Sequence, residues 1–192
     1  MEELFSRNTY MLRKKFFKFF GESFHIFDEQ GKVVLFASMK AFKLREDIRL
    51  YTGEDKKQEV LSIQARQILD VSATYDVFVS GTQQKIGALR RKGVKSYFLK
   101  DEWVIMDAFD KDIGFIKEDS MLFALIRRFL TNLIPQTYYV DIGGTRVCMF
   151  KQRFNPFVPK MDIDFSLDTG HLLDHRLGIA AAVLLGAIEG RQ

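Results

Sequence analysis

Cysteine occurs once in these 192 residues, at Cys148, so an internal disulfide is excluded and a reducing compartment is expected. No G-x-x-x-x-G-K-[ST] loop is present, and the adjacent Gly143 and Gly144 read as a hairpin turn, not a phosphate cradle. No G-x-S-x-G elbow occurs either, and Cys148 has no acid–base pair beside it, so nothing in the residues argues for an enzyme. The opening MEELFSRNTYMLRKK carries early acids and lacks an apolar stretch, which speaks against a secretory signal and for a cytoplasmic protein. A net charge of +4 permits anionic partners without requiring nucleic acid, and none is expected.

Long apolar runs are also scarce. The longest is LGIAAAVLLGAI, twelve uncharged residues between Arg176 and Glu189. As a helix it would reach about 18 Å, against roughly 30 Å of bilayer hydrocarbon. It is apolar on every side, which predicts a helix enclosed by protein. Its small residues, among them Gly178, Ala180, Ala181, Ala182 and Gly186, would let an enclosing wall come close.

What the chain does have is phenylalanine, 19 of them, and a succession of short aromatic and β-branched runs separated by turn signals. Runs such as SFHIFD, KVVLFASMK, EVLSIQAR, TYDVFVS, KSYFLK and EWVIMDAF alternate with turns such as DEQGK and TGEDKK. In EVLSIQAR, Leu61, Ile63 and Ala65 share one face, with Ser62, Gln64 and Arg66 on the other. In KMDIDFSLD, Met161, Ile163, Phe165 and Leu167 oppose Lys160, Asp162, Asp164, Ser166 and Asp168. About twelve such strands must curl and close, and the apolar helix is the object that fills the lumen. The expectation is a mainly β, α+β fold in one domain over residues 1–192: a closed antiparallel barrel of about twelve strands enclosing the C-terminal helix. An extra helix is expected near 120–134, where SMLFALIRRFLTNLIP starts at a capping serine and stops at Pro135. The Asn155-Pro156 pair marks another break.

In these particulars the chain resembles the superfamily of the tubby C-terminal domain, the phospholipid scramblases and the LURP-one-related proteins. FHIFDEQGKVVLF looks like their early hairpin, YDVFVSGTQQKIGALRR like a middle one, and MDIDFSLDTGHLLDHRLGIAAAVLLGAIE like the acidic strand that leads into the closing helix. The resemblance implies a non-enzymatic barrel module, since tubby domains bind phosphoinositides and scramblases are tied to calcium-triggered lipid movement. The chain lacks the proline-rich tail and cysteine cluster of scramblases, so stable lipid anchoring is not implied.

Two basic segments are candidates for anionic lipid headgroups. RKKFFKFF, if helical, places Lys14, Lys15 and Lys18 on one arc beside Arg13, with four phenylalanines on the other. Arg90, Arg91, Lys92 and Lys95 cluster around Gly93. The bland alternatives are phenylalanines capping a barrel end and a solvated loop. No cofactor is expected, with calcium the ion that the acidic strand suggests. Asp162, Asp164 and Asp168 match the calcium segment of scramblases, although a solvated strand face spells the same letters and no EF-hand spacing is present. His171 and His175 stand at i and i+4, the spacing of zinc ligands on a helix, with Asp174 between them. A third ligand is hard to find in the residues that follow, which leaves a metal-dependent hydrolase as a remote alternative. The nearer one is a protein-binding scaffold barrel that docks a partner through Ser120 to Ile134.

Overall fold

The computed structural model describes residues 2–16, 22–39, 47–66, 73–92, 102–119, 135–155 and 157–188. Alternating apolar residues extend through these segments as twelve strands: β1 (Thr9–Phe16), β2 (Glu22–Phe27), β3 (Val33–Met39), β4 (Asp47–Tyr51), β5 (Glu59–Ala65), β6 (Thr74–Val79), β7 (Gln84–Arg91), β8 (Glu102–Met106), β9 (Asp112–Glu118), β10 (Thr137–Ile142), β11 (Thr145–Arg153) and β12 (Lys160–Asp164). Each strand pairs antiparallel with its neighbours in the chain. β1 and β12 then pair from Thr9↔Asp164 to Arg13↔Lys160 and close the barrel, so no edge is left to aggregate.

The period of two places one face of each strand in the lumen. Leu61, Ile63 and Ala65 of β5 join the core, while on the other face the Gln64 amide donates to Ser62 Oγ at 3.1 Å. The lumen is filled by α1 (His175–Ile188), whose residues from Leu177 to Leu185 are all buried. Its close neighbours lie on opposite walls. A β-carbon at Gly87 of β7 would meet the Leu177 side chain at 2.8 Å, and one at Gly186 would meet Leu12 of β1 at 3.2 Å. A helix that touches both walls lies between them.

Antiparallel pairing all round the ring gives the barrel two distinct ends. The last residues of odd-numbered strands and the first of even-numbered ones gather at one end, here the upper end. α1 starts at the lower end, where Asp174 caps it by accepting the Arg176 N–H at 2.9 Å. There His175 meets the Phe5 carbonyl at 2.9 Å through Nδ1 and stacks on Phe165. Lower-end hairpins are tight. Gly143 and Gly144 take φ of 56° and 86°, the hairpin turn expected of that pair.

Three local expectations change. β12 ends at Asp164, and the chain turns so that the Asp168 N–H donates to the Phe165 carbonyl at 2.9 Å. Leu167 is therefore exposed while Phe165 stays in the core, and Asp168 is removed from the face of Asp162 and Asp164. His171 precedes α1 with φ of 50°, so it and His175 do not share a helix face. Arg13 to Phe16 is strand, not helix, because it pairs with β2 throughout. The helix expected at 120–134 and the strand expected in KSYFLK lie outside the described residues.

Candidate functional site

A strand cannot present three consecutive cations on one side. Lys14 turns inward with Tyr10 and Leu12; it is 4% exposed, and its Nζ sits 3.0 Å from Glu22 Oε1. Arg13 and Lys15 turn outward. The Arg13 guanidinium lies over the Phe27 ring at 4.7 Å and has no ion-pair partner among the described residues. Lys15 Nζ lies 2.6 Å from Glu54 Oε2, and the other oxygen of Glu54 bonds Nε2 of buried His25. Lys15 first and His25 second hold the Glu54 carboxyl below its ordinary value. The loop TGEDKK is thus more than a turn. It folds back over the outer face of β1 to β3, where Lys56 also reaches Ser38 Oγ at 3.0 Å and lies over the Phe36 ring.

The second cluster obeys the same rule. Arg90 faces outward and pairs with Asp112 at 2.9 Å. Arg91 stands opposite Trp103 in the register, on the lumen side. Lys92 bonds Glu102 at 3.1 Å and lies over Phe115 at 4.7 Å. Lys117, isolated in the sequence and not singled out there, joins the group through Glu102 at 3.3 Å and lies 5.0 Å from the Phe115 ring centroid. Beneath them Ala88, Val104 and Met106 form an apolar cluster on the outer wall. Lys18 and Lys95 lie outside the described residues.

β1 and β7 are six places apart in a ring of twelve, so the two clusters occupy opposite walls. Both sit where an odd-numbered strand finishes. They share the upper end of the barrel and nothing else.

The acidic candidates are not brought together. Asp162 pairs with Arg153 at 2.8 Å, which raises the Arg153 pKa. Asp164 Oδ1 accepts the Ser166 N–H at 2.8 Å. Asp168 is 5% exposed and spends its two oxygens on the N–H groups of Leu172 and Leu173, at 2.8 and 2.9 Å. Among the described residues no group of three or more His, Cys, Asp or Glu side chains is placed to hold a metal ion. Cys148 is buried, which pushes its thiol well above the ordinary value and leaves it without nucleophilic character at neutral pH.

No described helix is long and apolar enough to cross a membrane. A comparison with curated proteins found none that matches. The family model described as LURP-one-related matches residues 8–185, which takes in all twelve strands and most of α1. A closed twelve-stranded barrel around an apolar C-terminal helix, with that match along nearly its whole length, places the chain in the LURP-one-related family of the tubby-like superfamily.

Proposed function

We propose that the protein is a non-enzymatic barrel module that binds anionic phospholipid headgroups at a membrane surface, end-on, through the cations of its upper end. The supporting observation is the placement of Arg13 and Lys15 on one wall and Arg90 and Lys92 on the opposite wall, all near that end. A compact soluble ligand could reach one pair only. A planar anionic surface set across the barrel end meets both. The ion pairs of Lys15, Arg90 and Lys92 are surface pairs, worth about 0–1 kcal/mol each, so exchanging their carboxylates for phosphates costs little. Each cation near an anionic surface contributes about 1 kcal/mol. Lys14 is left out of this set because its ammonium faces Glu22 inside the barrel.

The test is co-sedimentation with vesicles of phosphatidylcholine and phosphatidylserine across a salt series. Binding should weaken steeply with salt, because exposed charges act over about 10 Å at 0.1 M. Arg13→Gln with Lys15→Gln should weaken it roughly thirtyfold, as should Arg90→Gln with Lys92→Gln. Indifference of the wild-type protein to anionic vesicles would leave the protein-binding barrel as the better reading.

A further inference from the structure

At the upper end the register lines up cations across three adjacent strands. Arg13 of β1 stands opposite Lys160 of β12, and Lys160 stands opposite Arg153 of β11. All three side chains point outward, since their neighbours Lys14, Met161 and Gln152 lie on the lumen side. Like charges directly opposite one another destabilise a sheet. Only Arg153 has a carboxylate, Asp162; Arg13 and Lys160 have none among the described residues. The row is held together by barrel closure, and among the described residues Asp162 is the one carboxylate paired with it.

Directly beyond this row, between β11 and β12, Phe154 is 62% exposed and Phe157 82% exposed. Their exposure is built in. Asn155 Oδ1 accepts the N–H groups of Phe157 and Val158, both at 2.9 Å, which fixes the turn. The Pro159 carbonyl accepts the Lys14 N–H at 3.0 Å and ties the same connection to β1. Two aromatic rings in water beside unbalanced cations form the pattern of a membrane-interface anchor, apolar tips for the acyl boundary and charges for the phosphates. The lower end offers a contrast. Phe109 is 92% exposed, but the cations that reach its turn, Arg66 and Lys85, are paired with Asp76 and Asp110 and form no unbalanced row.

We infer that the connection carrying Phe154 and Phe157, with the row Arg13, Lys160 and Arg153 behind it, is the wedge by which the barrel inserts into an anionic bilayer interface. This rests on the lipid-surface reading above and names the element that enters the membrane. Vesicle co-sedimentation of the full chain at low salt separates the two. Phe154→Ser with Phe157→Ser should weaken binding to phosphatidylserine-containing vesicles about a hundredfold, a loss of apolar anchoring at both tips. Phe109→Ser should bind like the wild type, and all variants should melt alike. A Phe157→Trp variant adds a reporter, because the native Trp103 is already buried and contributes a fixed background; its emission should shift to the blue on vesicle addition. Wild-type binding that survives the double change, or Phe157→Trp emission that stays put, overturns the wedge and leaves the lipid reading standing. Failure of the wild-type chain to bind such vesicles overturns both.

Discussion

Gly178 of the helix and Phe165 of the wall meet so closely that neither can grow: a β-carbon at Gly178 would lie 2.5 Å from Cε1 of the ring. Gly178→Ala should therefore destabilise the protein by about 1–3 kcal/mol, the range for overpacking. Phe165→Leu in the same chain should recover part of that loss, a coupling that urea unfolding of the four-member cycle would measure. Simple additivity would mean that helix and wall are not in contact here.

Charges placed inside the lumen should be far worse. Ala181 and Leu184 are each 1% exposed. Ala181→Arg or Leu184→Asp leaves an unpaired charge at a cost of several kcal/mol, a large part of the 5–15 kcal/mol by which a domain is stable. Neither variant should give a cooperative melt. A normal melting curve from either would put the helix outside the barrel.

Two of the acidic residues should separate sharply in their effects. Asp168→Ala removes the acceptors of two backbone N–H groups, one of them buried, and should cost about 1–3 kcal/mol. Asp162→Ala breaks an exposed pair with Arg153 and should stay within about 0.5 kcal/mol. Equal losses in thermal denaturation would contradict the separate roles assigned to them.

Acid should loosen the loop that covers β1 to β3. The Glu54 carboxyl titrates lower when folded than when unfolded, because Lys15 and His25 hold its anion. Its contribution to stability is complete above the ordinary glutamate value of about 4.3 and disappears as pH falls through the lowered folded value. Glu54→Gln should flatten this part of the stability profile below about pH 4–5. A profile identical to that of the wild type would remove Glu54 from the account.

Cys148 supplies a probe of opening. Its side chain faces the lumen and its thiol is held protonated by burial. Alkylation by iodoacetamide should be negligible in the native protein and should rise in step with unfolding in urea. Rapid labelling under native conditions would show that the β11 wall opens locally.

Strand periodicity made the barrel legible before any coordinates. The alternation in EVLSIQAR and the all-round apolarity of Leu177 to Ile188 both depend on neighbours in the chain, and both reappear as β5 and α1. The Gly-Gly pair likewise turns where a two-residue hairpin must turn. The alternation in KMDIDFSLD misled at its far end, because a turn needs no change of polarity to begin. There the side chain of Asp168 found backbone donors in the segment ahead of the helix, and Leu167 was left in water.

The candidate site was less legible, for a related reason. RKKFFKFF has the composition of a basic aromatic helix and of a strand alike, and pairing with β2 and β12 decides for strand, sending Lys14 inward and Arg13 outward. Residue type and local period thus determined that this chain would build an antiparallel barrel and fill it with its own C-terminal helix, because burial of apolar side chains is dictated by spacing along the chain. Which charges became neighbours was decided only by closure. Arg13, Lys160 and Arg153 are separated by up to most of the chain's length, and no sequence period encodes the register that sets them side by side.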